Sequence, residues 1–181
     1  MEKKTDSLMS SNNLLKAAED KIESNLLPEN KANYQKLVVA GLKVALANGP
    51  QSYMAQLKNS KDPLSDAATG AVNLVFMLNK QARGTAPIQA MVPAAMTLML
   101  HALDFIDRTG MMTVGQKEFG DASKKFADVV FRNMNITPQM LKKASESVHN
   151  VAKDPAHLEA MKRKAGLVRA PGASVPTDVP E

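Results

Sequence analysis

The sequence predicts an all-α fold, a compact multi-helix bundle of about six to eight helices with a flexible C-terminal tail. Apolar residues recur at helical spacing along most of the chain, and no long stretch alternates between apolar and polar residues. Three dipeptides place a capping side chain directly before a proline suited to the first helical turn, namely Asp62-Pro63, Thr137-Pro138 and Asp154-Pro155. We expect a flexible N-terminus over 1–11, one helical domain over 12–165 and a disordered tail over 166–181.

The first part of the chain predicts two amphipathic helices and a shorter third one. The first helix covers about 12–26 and ends before Pro28. The second covers about 30–48, and the turn-forming residues Asn48-Gly49-Pro50 stop it. A short helix over about 50–57 leads into the next turn.

A fourth helix begins after Asp62 and is apolar on more than one side. One face contains Leu64, Ala67, Ala68, Ala71, Leu74, Val75 and Leu78, and Val72 and Phe76 extend the apolar surface sideways. We therefore expect this helix to pack against more than one neighbour. Gly70, in its interior, is expected to mark a close approach of another helix.

The fifth helix, over about 91–107, is predicted to lie at the centre of the bundle. It is apolar nearly all round except for a thin polar stripe of Thr97, His101, Asp104 and Arg108. The apolar stretch from 86 to 106 approaches the roughly 20 residues that span a bilayer. Prolines and polar residues interrupt it, so a buried helix is favoured over a membrane span.

Three further helices complete the prediction. The sixth covers about 114–134, where Thr113 and Gln116 fit a capping box. The seventh covers about 138–152, and the eighth, over about 155–165, is short and basic. The tail that follows is rich in proline and glycine and has too few apolar residues to form a core.

The residue types present exclude several kinds of site. The chain has no cysteine, so it forms neither disulfides nor cysteine-based zinc sites. Its glycines form no phosphate loop and its serines no nucleophile elbow. His101 and Asp104 share a helix face, which is typical of a proton-transfer pair, but no metal-type partner accompanies them and a buried, hydrogen-bonded polar stripe is favoured. We predict no catalytic, metal or cofactor site, and therefore no enzyme.

Two kinds of partner remain open. Methionines gather near the central helix, where flexible thioethers either fill a core or form an adaptable binding surface. The candidate protein contacts are Val72, Phe76, Met77, Met111 and Met112. The net charge of +5 suits nucleic acid instead, and candidate contacts to it are Lys142, Lys143, Lys162, Arg163, Lys164 and Arg169.

One segment resembles a known class of proteins. Residues 65–110, SDAATGAVNLVFMLNKQARGTAPIQAMVPAAMTLMLHALDFIDRTG, combine a small-residue helix, a polar turn and a Pro-x-x-x-x-Val-Pro-Ala-Ala lead into an apolar helix that ends Leu-Asp-Phe. This pattern resembles small helical virion and morphogenesis proteins of tailed bacteriophages. The resemblance implies a non-enzymatic internal or ejected protein, connector component or assembly factor. Its partners would be protein subunits, as a homo-oligomer or with other particle components, in the virion or the bacterial host cytoplasm.

Overall fold

A computed structural model of the protein describes residues 12–49, 52, 55, 57–137, 139, 140 and 142. Its contacts divide the chain into one unit of Met1–Asn135 and another of Ile136–Glu181. The first unit contains five helices in its described part and no strand there, which confirms the all-α prediction. They are α1 (Asn13–Ser24), α2 (Pro28–Ala45), α3 (Pro63–Gln81), α4 (Ile88–Arg108) and α5 (Gln116–Asn133).

The remaining predicted elements are described only in part. Within the short helix predicted over 50–57, the described residues 52, 55 and 57 are helical. In the second unit, residues 139, 140 and 142 are helical, and the Met140 N–H donates to Thr137 Oγ1 at 3.3 Å, as a helix cap would require. The other residues of the predicted seventh helix, all of the eighth, and the two predicted flexible ends lie outside the described residues.

Prolines and capping side chains begin three of the helices. Asp62 Oδ1 accepts the Ser65 N–H at 3.0 Å, and Pro63 occupies the first position of α3, as the sequence predicted. Asn12 caps α1 by accepting the Leu14 and Leu15 N–H groups at 3.1 and 3.3 Å. Helix α2 begins at Pro28, earlier than predicted, because the fixed φ of proline suits a first helical residue.

Helix α5 begins differently from the sequence prediction. The capping position is Gly115 and not Thr113. The Glu118 side chain, not Gln116, reaches back and accepts the Gly115 N–H at 3.1 Å. This is one of the two hydrogen bonds of a capping box, the one in which the side chain of the third helical residue accepts the N–H of the capping residue. The predicted Thr113/Gln116 pair was therefore wrong.

Helix α4 lies at the centre of the first unit, as predicted. It contacts the other four helices, and α3 and α2 provide its most extensive contacts. Its fully buried side chains include Met99, Leu100, Leu103 and Ile106. Over its most apolar 18-residue window the mean hydropathy is 1.3 and 61% of the window is buried. Its length and composition also suit a membrane span, but the core helix of a globular bundle has the same properties.

The close helix approach that the sequence assigned to Gly70 occurs instead at Gly41. A Cβ added at Gly41 would collide with Leu98 Cδ1 of α4. Gly70 is exposed, and a Cβ added there would meet no atom within 4 Å. The Gly70 prediction was therefore wrong, since this residue of α3 faces open space.

Candidate functional site

The polar stripe of α4 pairs with α1 and α2. The Tyr34 hydroxyl of α2 and Thr97 Oγ1 share a hydrogen bond of 3.0 Å, and both residues are buried. Burial raises the pKa of Tyr34 to about 12, although the hydrogen bond to Thr97 acts in the opposite direction. This end of the stripe is a neutral contact that fixes α2 on α4.

His101 and Asp104 have different partners. His101 Nε2 lies 3.4 Å from Glu19 Oε1 of α1, and only about an eighth of each side chain is exposed, 13% and 12%. Asp104 Oδ2 lies 3.3 Å from the Arg108 guanidinium, one turn along α4. The side chains of the stripe are thus engaged in polar contacts within the fold. A buried polar contact was one of the two interpretations of His101 and Asp104 that the sequence allowed.

A cleft of about 460 Å³ opens beside this stripe. It lies between the C-terminal half of α2, the residues that follow it, the first half of α3 and the second half of α4. Its described lining consists of Leu42, Val44, Ala45, Leu46, Asn48, Ser52, Leu57, Asp66, Ala67, Gly70, Ala71, Leu74, Leu98, His101, Ala102, Asp104, Phe105 and Arg108. Small residues of α3 and α4 leave the space that larger side chains would fill.

The cleft combines apolar walls with a few polar groups. Val44 and Leu46 are 47% and 41% exposed, so two large apolar side chains of the lining remain in contact with water. Polar groups come from α4, from Asp66 in the first turn of α3, and from Asn48 and Ser52. Mainly apolar concavities with a small number of polar groups are the usual form of a binding site. The arrangement can bind an apolar group and orient it by charge.

The protein-contact residues predicted from the sequence are not all on the surface. Val72 is fully buried and belongs to the core. Phe76, Met111 and Met112 are half-buried and pack against that core. Met77 is 43% exposed and is the most accessible of the five. Val72 is therefore not available to a partner, because it faces inward from α3.

The predicted nucleic-acid contacts are described only at Lys142, which is exposed. Lys143, Lys162, Arg163, Lys164 and Arg169 lie outside the described residues. Their role remains a prediction from the charge pattern.

Sequence reasoning missed the cleft. Its walls come from three helices whose relative placement is a tertiary property, and helical periodicity identifies only the face that each helix buries. The residue that could have indicated the cleft is Gly70, a glycine inside a strongly apolar helix. The sequence pattern instead predicts a close helix approach at this residue.

Within the described residues, no group of three histidine or acidic side chains is arranged to hold a metal ion. Comparisons with protein-family models, curated proteins and solved structures found no match. The cleft and the sequence pattern are therefore the features of this chain that point to a function.

Proposed function

We propose that this protein is a non-enzymatic interaction protein that receives an apolar segment of another protein subunit in the α2–α3–α4 cleft. The observation that supports this most directly is the open apolar space at Gly70, bordered by the exposed side chains of Val44 and Leu46. Filling such a space with apolar side chains removes exposed apolar surface from water. A groove between packed helices is a common receptor for an amphipathic helix.

The biological setting that we propose is a tailed-phage particle or its assembly. Support comes from the resemblance of residues 65–110 to small virion and morphogenesis proteins. That segment corresponds to most of α3 and all of α4, the two helices that supply the inner wall of the cleft. The protein would act as an internal or ejected protein, a connector component or an assembly factor, in the virion or the host cytoplasm.

The test is the absolute mass in solution, measured by size-exclusion chromatography with light scattering at low and moderate salt. The wild type is compared with Gly70→Leu, which fills the cleft, and with Gly120→Leu. Gly120 is a matched control, because it also lies inside a helix with no atom within 4 Å of an added Cβ, but on α5 and away from the cleft.

A closed oligomer that dissociates only in Gly70→Leu would identify the cleft as a contact between subunits. An oligomer that tolerates Gly70→Leu would place self-association elsewhere and count against the cleft. A wild-type monomer at both salts would exclude self-association and leave a different protein as the partner.

A second candidate function is association with nucleic acid through the basic C-terminal region. The excess of positive charge, +5 over the whole chain, favours it. Release of counterions from phosphates makes such binding strongly dependent on salt. Titration of labelled DNA and RNA at rising salt tests this candidate, and absence of salt-sensitive binding would remove it.

A further inference from the structure

We propose that the segment received by the cleft is basic, namely an amphipathic helix of a partner protein that carries Lys or Arg beside its apolar residues. This inference rests on the proposed function and specifies the chemistry of the partner. It is carried by a difference in charge between the cleft and the rest of the chain.

The described lining of the cleft has an excess of negative charge. Asp66 and Asp104 contribute two carboxylates, and Arg108 contributes one positive charge. Glu19 is not part of the lining and is paired with His101, 3.4 Å from its Nε2 atom. The whole chain has a net charge of +5, so the sign at the cleft is opposite to the overall sign. Low-dielectric walls strengthen the local field of such a cleft.

The exposed carboxylate of Asp66 is placed where a basic amphipathic helix would need it. Asp66 is exposed and precedes Gly70 by one helical turn, so both residues lie on the same face of α3. An apolar side chain that fills the space at Gly70 therefore brings its neighbours close to Asp66. Asp104, on the opposite wall, is buried and paired with Arg108, so Asp66 supplies the accessible negative charge of the lining. The methylene stem of a lysine can cover apolar lining such as Leu74 while its ammonium group reaches a carboxylate.

The test uses three synthetic helical peptides that share one set of leucines and differ in their polar residues, which are lysine, glutamine or glutamate. Binding to the full-length protein is measured by fluorescence anisotropy at low and moderate salt. The overall charge of the protein predicts that the glutamate peptide binds best. The charge of the cleft predicts the reverse order, with lysine strongest and glutamate weakest.

Three variants locate the binding. Gly70→Leu should abolish binding of the lysine peptide, and Gly120→Leu should leave it unchanged. Asp66→Asn should weaken it about two- to fivefold, with little effect on the glutamine peptide, because an exposed charge pair contributes modestly. Circular dichroism of each variant confirms that it has folded, and Gly70→Ala provides a smaller obstruction should Gly70→Leu fail to fold.

The outcomes separate the two proposals. Preference for the lysine peptide, lost in Gly70→Leu, supports both. If the glutamine peptide binds at the cleft but the glutamate peptide binds as well as the lysine peptide or better, the basic partner is wrong and the interaction function stands. If no peptide responds to Gly70→Leu, both proposals are overturned. A response of a neutral apolar dye alone would then indicate a small-molecule site.

Discussion

Gly41 and Gly120 are both interior helical glycines, but their surroundings predict opposite effects of substitution by alanine. At Gly41 an added Cβ would meet the flexible end of Leu98, which has to turn aside, so Gly41→Ala should destabilise the protein by up to about 1 kcal/mol. At Gly120 the space is open, so Gly120→Ala should stabilise it by about 0.5–1 kcal/mol through higher helix propensity. Urea unfolding measures both. Stabilisation by Gly41→Ala would show that Leu98 turns aside at less cost than the gain in helix propensity, or that α2 lies farther from it.

Tyr34 predicts a loss of stability at high pH. Its folded-state pKa is raised to about 12, whereas an unfolded tyrosine ionises near pH 10. The stability that depends on the neutral phenol is therefore fully present below about pH 10 and is lost as the pH rises through about 12, by on the order of 2 to 3 kcal/mol. Urea unfolding at several alkaline pH values measures this slope.

The control for this prediction removes the phenol and its partner together. Tyr34→Phe combined with Thr97→Val leaves no unpaired hydroxyl at the contact, and it should remove this part of the alkaline slope. In a Tyr53→Phe background Tyr34 is the only tyrosine, so tyrosinate absorbance follows its ionisation directly. An unchanged slope in the double variant would assign the alkaline effect to other groups.

At the scale of the element, Asn12 connects three parts of the fold. Its side-chain oxygen caps α1, while its Nδ2 group donates to Asp107 Oδ2 at 3.0 Å and to the Val114 carbonyl at 2.9 Å. Asp107 Oδ1 in turn accepts the Val114 N–H at 2.9 Å. The start of α1, the end of α4 and the segment before α5 are therefore joined by one amide.

This arrangement predicts that Asn12→Asp is destabilising, although aspartate is as good a helix cap as asparagine. The substitution removes both donors and places a second carboxylate beside that of Asp107, for a cost of about 1–3 kcal/mol. The loss should shrink at acid pH, because protonation of either carboxyl group removes the repulsion. Thermal unfolding at neutral and acid pH measures it. Equal stability of the variant and the wild type would mean that the amide contacts do not form.

The elements that the sequence predicted well are those determined by neighbouring residues. The start of α3 at Asp62-Pro63 depends on local capping, and the central position of α4 depends on apolar residues around nearly the whole helix. Both predictions were confirmed. The partners of His101 and Asp104 and the roles of Gly41 and Gly70 depend on which helix lies opposite. Periodicity carries no information about that neighbour, so the cleft could not be predicted.

At the scale of the whole molecule, α4 contacts each of the other four helices, whereas α1 packs chiefly on α4. Helix α1 is held by Leu15, which is fully buried, by the Glu19–His101 contact and by the Asn12 bridge. Local unfolding begins in elements with the fewest buried contacts. The helix bundle should therefore open first at α1, while α4 opens only when the unit unfolds globally.

Native-state hydrogen exchange, measured by mass spectrometry on protease fragments, tests this order of opening. Amides of α1 should exchange faster than those of α4, and Asn12→Asp should accelerate exchange in α1 by on the order of tenfold or more. Exchange in α4 should accelerate by about the same factor, because α4 exchanges from the globally unfolded state, in which the Asn12 contacts are also lost. Equal exchange rates of α1 and α4 amides in the wild type would mean instead that the two helices unfold as one cooperative unit.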